Sequence, residues 1–444
     1  MLHRIASSIG SSVNEKDEYK GKEAGVTTRV EPITEVAEDQ DEADLLRLGY
    51  RQEFKREFTN LSTISFAFSI MGCTSSIAST FNTPLLYGGP ASVVWCWFIG
   101  TFGCFCLGTA IAEIVSAYPT DGGLYSASAY LVPQKYRGPV GWVVGWLNLL
   151  GQVSAIASVE FALAGMVMSA VTIGTDGAYV ATTGQTVGLF VGLLPPRRRP
   201  IADTLPFQYA MATIIYRNVG REGFLALWFF VLLCAFTVVA TELQACSRTF
   251  FAFSRDHGLP DRGLFTKLSA NKVPVYAVVL VVFCAAVLGM LDFASVVALN
   301  AVFAMCAVAL DSSYIIPIAC RLVFRNHPDV MFKPGPFALP PTISKIVSCI
   351  AIAWTCFVCV ILSLPQVIPV TATSMNYALP ITGLVLLLSS IWYIGKSKDY
   401  RSRLGVRAEK DFPVADGDLF ALTAIVEEER LAVEAEGGVS QLKE

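Results

Sequence analysis

The chain has 444 residues, 54% hydrophobic and only 16% charged, with a mean hydropathy of +0.54. Soluble domains carry about 25% charge, so this composition excludes a soluble globular protein and predicts an all-α, polytopic membrane protein. The net charge of −3 and the pI near 5.8 leave no basic surface for nucleic acid.

Of the 36 acidic residues, 13 lie in residues 1–58, 11 in 395–444 and 12 between them, so the acidity belongs to two tails. Residues 1–58, with TEVAEDQDEAD, read as a disordered cytosolic tail, too charged and too poor in aromatics to bury a core. They hold no apolar stretch of signal-peptide type, so the first span must drive insertion. A transmembrane domain is expected over 59–395. Its apolar runs at about 61–82, 93–117, 139–171, 224–246, 274–291, 294–320, 344–364 and 376–394 are long enough to cross about 30 Å of hydrocarbon. The run GQTVGLFVGLL at 184–194 is too short to span alone before Pro195 and Pro196. Residues 396–444 form the second acidic cytosolic tail.

Loop charges orient these spans, because cytosolic loops are enriched in Lys and Arg. Arg51, Lys55 and Arg56 place the N-terminus inside. Lys135 and Arg137, then Arg248 to Lys272, then Arg321 to Lys345, mark further inside loops, and Lys396 to Arg403 place the C-terminus inside. The alternation fails only over 172–223. If 184–194 crosses, Arg197, Arg198 and Arg199 lie inside and an odd number of crossings is missing before the next span. If it does not cross, the Arg triplet lies outside against the charge rule.

The twelve cysteines all fall in apolar stretches, so no disulfide framework is expected, and Cys356 with Cys359 lacks the second ligand pair of a zinc site. The three histidines lie in a tail or loops. No metal-ligand cluster, G-x-S-x-G elbow or phosphate loop is present, so an enzyme, a cofactor and a metal are not expected.

Four stretches carry the chemistry. SIMGCTSSIAST at 69–80 sets Gly72 among Cys73, Thr74, Ser75 and Ser76 in an otherwise apolar helix. This polar seam reads either as close helix packing with hydroxyls bonded back to carbonyls, or as a helix broken at mid-membrane whose freed N–H groups bind a carboxylate. In AEIVSAYPTDGGLY, Pro119 ends the second span, and Glu113 lies near the cytosolic edge, where it can pair with a loop arginine. Glu160 and Asp311 are deeper, each among small or hydroxyl residues, and must be protonated, paired or facing an aqueous cavity. Glu242 and Arg248 read as a structural pair or interfacial anchor.

These stretches resemble the amino acid-polyamine-organocation transporter superfamily, in its fungal amino acid, GABA and choline permease branch. The resemblance rests on IMG at 70–72 with the seam that follows, AEIVSAYPTDGGLY at 112–125, GWLNLLGQVSAIASVEF at 145–161 and SRTFFAFSRDHGLP at 247–260, in that order. It covers about residues 50–400 with a gap. It implies a carrier of twelve helices, with an inverted repeat of five and five, in which helices one and six are broken around the substrate. The first three spans then match helices one to three, and 184–194 the start of helix four. Residues 203–223 match the outer loop before helix eight, and the remaining spans match helices eight to twelve. Helices five to seven have no counterpart, which is the odd number the loop charges require.

The resemblance thus implies a secondary transporter of an amino acid, GABA or a choline-like cation, multi-pass and coupled to protons. Its plasma-membrane location is favoured over a vacuolar one. Its substrate would bind at Gly72, Cys73, Thr74, Ser75 and Ser76, with Glu113, Glu160 and Asp311 as coupling or gating groups. The competing expectation is a truncated, non-transporting or regulatory relative of such a permease.

Overall fold

The computed structural model describes residues 59–175, 209–290 and 296–403, apart from a few single residues and short loop stretches. The expected acidic tails, 1–58 and most of 396–444, and the short run 184–194 lie outside these residues.

The described chain is helical, with no strand among the described residues. Ten α-helices follow in order: α1 Asn60–Met71, α2 Cys73–Thr80, α3 Asn82–Ala117, α4 Gly123–Tyr130, α5 Arg137–Gly174, α6 Ala210–Arg255, α7 Val275–Gly289, α8 Val296–Val323, α9 Pro341–Ser363 and α10 Ala378–Arg403. Seven segments, from Asn60–Leu86 to Ala378–Lys396, are long and apolar enough to cross a bilayer. Within the fifth expected span, 274–291, the described helix is Val275–Gly289, of 15 residues. At 1.5 Å per residue it covers about 22 Å, less than the hydrocarbon thickness.

Two long helices bend at glycine. Gly89 (φ 66°, ψ −168°) precedes Pro90 and kinks α3, as expected where proline cannot donate and glycine takes a positive φ that other residues avoid. Gly220 (φ 71°, ψ −175°) does the same in α6. Residues 210–219 are therefore helical, which corrects the expectation of a loop there: Tyr209 and Ala212 are buried against Ala78, Phe224 and Trp228, so tertiary packing holds the turn pattern in a helix.

α5 is the central strut, flanked by α8, α6, α4, α10 and α7. At one end of the bundle Trp142, Phe253 and Tyr400 form an aromatic core, the Tyr400 ring lying edge-on to Trp142 at 5.0 Å. Helices α3, α8 and α9 meet around Ile114, Ile318 and Ala351. At the opposite end Arg221 donates to the Gly174 carbonyl and the Ala210 N–H to Asn82 Oδ1. α5 thus ends, and α6 begins, at the same end of the bundle.

Cover is uneven. α1 contains no buried residue. In α3 all six residues from Val94 to Ile99 are exposed in succession, more than a full turn.

Candidate functional site

The first span is broken. Thr59 caps α1, its side chain accepting from the Ser62 N–H while Ser62 Oγ accepts from the Thr59 N–H at 2.7 Å. α1 then stops at Gly72, which adopts a left-handed conformation (φ 46°, ψ 51°) and donates its N–H to Phe68 O at 3.3 Å. The helix restarts at once: Ser76 N–H donates to Gly72 O at 2.8 Å, and α2 runs from Cys73. A Cβ on Gly72 would lie 2.1 Å from Val238 Cγ2, so both the backbone angle and the closeness of α6 demand glycine here.

The hydroxyls of the seam serve both of its possible purposes. Ser75 Oγ donates to Gly72 O at 2.9 Å and Ser76 Oγ to Met71 O at 2.9 Å, so they satisfy carbonyls released by the break. Close packing and a broken helix coincide in one motif. The first turn of α2 carries N–H groups without an intrahelical acceptor and the positive end of the helix dipole. Across from it stands Cys234 of α6, whose Sγ receives the Ser75 hydroxyl at 3.7 Å and faces the main-chain N–H groups of Thr74 and Ser75. Gly72 and Ser75 are buried, whereas Cys73 and Thr74 are exposed.

Cys234, Val238 and Glu242 follow one another at four-residue spacing on α6, a spacing that keeps them on one face. The first touches Ser75, the second abuts Gly72, and the third brings a carboxylate one turn further along. Glu242 lies within electrostatic range of Glu160 on α5, and its Oε2 is buried without a hydrogen-bond partner. Glu242 thus turns toward the bundle, a placement its nearness to Arg248 in sequence did not suggest. The signal was present in its apolar neighbours on the α6 face.

Asp311 on α8 lies in range of Cys306, Tyr314, Cys104 and Cys359. Beside it a polar ladder joins α5 to α8: Gln152 Nε2 donates to Asn148 Oδ1 at 2.7 Å, and Asn148 Nδ2 to Ser313 Oγ at 3.1 Å. Neither Asn148 nor Gln152 was singled out by sequence reasoning, although both stand in GWLNLLGQ.

Glu113 is placed elsewhere. It is 2% exposed and accepts from Arg321 through both guanidinium nitrogens, at 3.0 and 3.2 Å. It also accepts from Leu339 N–H at 2.9 Å and Ser344 Oγ at 2.8 Å. Arg321 lies 4.4 Å from the Phe332 ring centroid. One carboxylate thereby ties α3, α8 and the start of α9 together at the end of the bundle, remote in sequence and in structure from the break. No group of His, Cys, Asp and Glu among the described residues could hold a metal ion.

An apolar helical bundle with segments long enough to cross a bilayer repeatedly, a broken first helix and half-buried carboxylates behind it is the build of a membrane carrier. The amino acid permease family model matches residues 58–194 and 201–387, and the chain belongs to that family. An amino-acid permease of Schizosaccharomyces pombe is 33% identical over 536 aligned positions, which take in 90% of this chain and 98% of that protein. Amino-acid permease 2 of Neurospora crassa is 28% identical, with 83% and 90% covered. The GABA-specific permease of Saccharomyces cerevisiae is 24% identical, with 84% and 87% covered. The protein is a multi-pass membrane protein of a transporter family, not an enzyme.

Proposed function

We propose that the chain is the core of a carrier for a small amino acid, and that the substrate carboxylate docks on the first turn of α2. The observation that carries this reading is the Gly72 break, which opens the N–H groups of Cys73 to Ser75 beside α6. The N–H groups there have no intrahelical acceptor and are met by the weak acceptor Cys234 Sγ, and with the helix dipole they favour an anion at that place. Glu242, one turn beyond the residue that abuts Gly72, offers a negative charge for the substrate's ammonium. This arrangement suits a zwitterion such as an amino acid or GABA. Choline has no carboxylate to place on α2, so it is the less suited substrate.

Proton coupling is assigned to Glu160 and Glu242. Two carboxylates in electrostatic contact inside a bilayer repel each other unless a proton intervenes, and a proton taken up there would compete with the substrate's ammonium. The orientation from loop charges puts both termini in the cytosol, and a plasma-membrane location accords with it.

The chain is further read as a shortened permease. The family match is interrupted at 195–200, and the S. pombe alignment of 536 positions is longer than the whole chain of 444 residues. The exposed run Val94–Ile99 on α3 fits that reading. Uptake of labelled GABA, amino acids and choline in transport-null cells tests it, comparing the chain with a version in which the S. pombe stretch is inserted between Leu194 and Ile201. Uptake of GABA or an amino acid by the lengthened version, abolished by Gly72→Ala, is the expected result. Uptake insensitive to Gly72→Ala would sink the assignment of the break. No uptake by either form would favour the regulatory relative.

A further inference from the structure

We infer that the pocket between α6 and the start of α7 binds a phosphate ester, and that the source of this ester is the headgroup of an anionic phospholipid. The pocket holds about 300 Å³. From α6 it takes Ala240, Leu243, Gln244 and Arg248, and from the α7 side Lys272 and Val278. Cys234, Val238 and Glu242 lie on another face of α6 by helical spacing. The pocket is thus separate from the Gly72 break and needs neither the carrier reading nor the missing stretch.

Polar and apolar groups are sorted along the pocket. On α6 the lining residues recur at three- and four-residue spacing, one stripe of the helix. That stripe changes from Ala240 and Leu243 to Gln244 and Arg248 as α6 runs toward its end at Arg255. α7 runs the other way: Lys272 precedes its first residue, Val275, and Val278 lies within its first turn. Both cations therefore stand where α7 begins, and an apolar wall leads away from them into the span. Beyond that wall α7 exposes Tyr276, Val279 and Phe283. An anionic head followed by hydrocarbon chains has this same order of polarity, whereas a soluble phosphate has no use for the wall.

Charge selects the anion. No acidic residue lines the pocket, so its walls are net positive. Lys272 takes a left-handed conformation (φ 56°), which a residue with a side chain rarely adopts. Two hydrogen bonds hold it there: Lys272 N–H donates to Ser269 O at 2.7 Å, and Ser269 N–H to Val273 O at 2.9 Å. Arg248 also interacts within the chain, but its guanidinium has five N–H donors in a fork that matches phosphate. The first turn of α7 adds the positive end of a helix dipole. On the orientation proposed above, this end of α6 is cytosolic, the side whose leaflet carries anionic lipids.

The test measures binding of dioctanoyl phosphatidylinositol to the full chain purified in detergent, beside dioctanoyl phosphatidylcholine, glycerophosphoinositol and inorganic phosphate. Phosphatidylinositol should bind at least about tenfold more tightly than each of the others. Arg248→Gln and Lys272→Gln should each weaken it at least about tenfold, while Arg248→Lys and Lys272→Arg retain most of it. Lys345→Gln, near the start of α9 and outside the pocket, should leave it unchanged. Equal affinity for phosphatidylcholine, or no loss in the two glutamine variants, would overturn the site. Equal affinity for glycerophosphoinositol or inorganic phosphate would overturn the lipid as its source. Should the variants fail to fold, the unaltered chain serves: phosphatidylinositol should slow acetylation of Lys272 at least about tenfold relative to exposed Lys345. An unchanged ratio refutes the proposal.

Discussion

Gly72 and Val238 meet so closely that a single methyl group on Gly72 would lie 2.1 Å from Val238 Cγ2. The contact locks the broken first helix against α6 at the point where the chain takes a left-handed turn. Gly72→Ala combines a left-handed cost of roughly 1–2 kcal/mol with an overpacking cost of about 1–3 kcal/mol. The lengthened carrier should lose uptake by at least about tenfold, the rate change that 1.4 kcal/mol brings. The double variant Gly72→Ala with Val238→Ala relieves the contact with Cγ2 but leaves Ser75 Oγ at 2.8 Å and the backbone strain, and should recover only part of the thermal stability in a melting assay.

Cys234 faces the same N–H groups that are proposed to hold the substrate carboxylate. Substrate should therefore slow alkylation of Cys234 by a small maleimide, measured by mass spectrometry of the labelled peptide. A fixed carboxylate in its place, Cys234→Asp, should occupy those donors permanently and abolish uptake, while Cys234→Ser should keep it. Unchanged alkylation at saturating substrate would count against the site.

Glu242 and Glu160 share an electrostatic environment behind the break. Glu242→Gln should weaken substrate binding, seen as a rise in KM of at least about tenfold, since one charge-assisted contact is worth about 1.5–3 kcal/mol. Glu160→Gln should leave KM nearly unchanged and flatten the dependence of uptake on external pH. If the two variants behave alike, the division of roles between them is wrong.

Glu113 and Arg321 form a two-pronged ion pair completed by Leu339 and Ser344. Removing one partner of a buried pair leaves an uncompensated charge and costs about 3–5 kcal/mol. Arg321→Ala and Glu113→Ala should each sharply lower the melting temperature and yield of membrane-inserted protein. Arg321→Lys keeps the charge but cannot reproduce two parallel bonds, and should fall between them and the unaltered protein.

Tyr400 is fully buried against Trp142 and Phe253, yet its hydroxyl has no hydrogen-bond partner. Burial, with Asp256 nearby, pushes its phenol well above the usual range. Tyr400→Phe should be neutral or stabilising by about 1 kcal/mol, since it removes a desolvated polar group. Tyr400→Ala should cost about 3–5 kcal/mol through the cavity it leaves. Melting curves of the purified protein in detergent separate the two.

Hydropathy found the helical segments because crossing a membrane is a local requirement of about twenty apolar residues. Its limit shows at 274–291, where 15 residues form the helix, and at 203–223, where a loop was expected and burial of Tyr209 and Ala212 maintains helix over 210–219. The motif around Gly72 was legible as a choice between packing and breakage. Only the close approach of Val238 reveals that packing and breakage are two aspects of one contact. Glu113 was legible as a carboxylate able to find an arginine, but Arg321 lies 208 positions away in the chain.

By itself the sequence determined the class of protein, the placement of most helices, the motifs of its family and the interruption after Leu194, because composition, periodicity and residue order are properties of short stretches. The tertiary structure decided which carboxylates meet, what faces the break and which helix faces are exposed. Those depend on contacts between residues far apart in the chain, whose pairing is set by how whole helices pack.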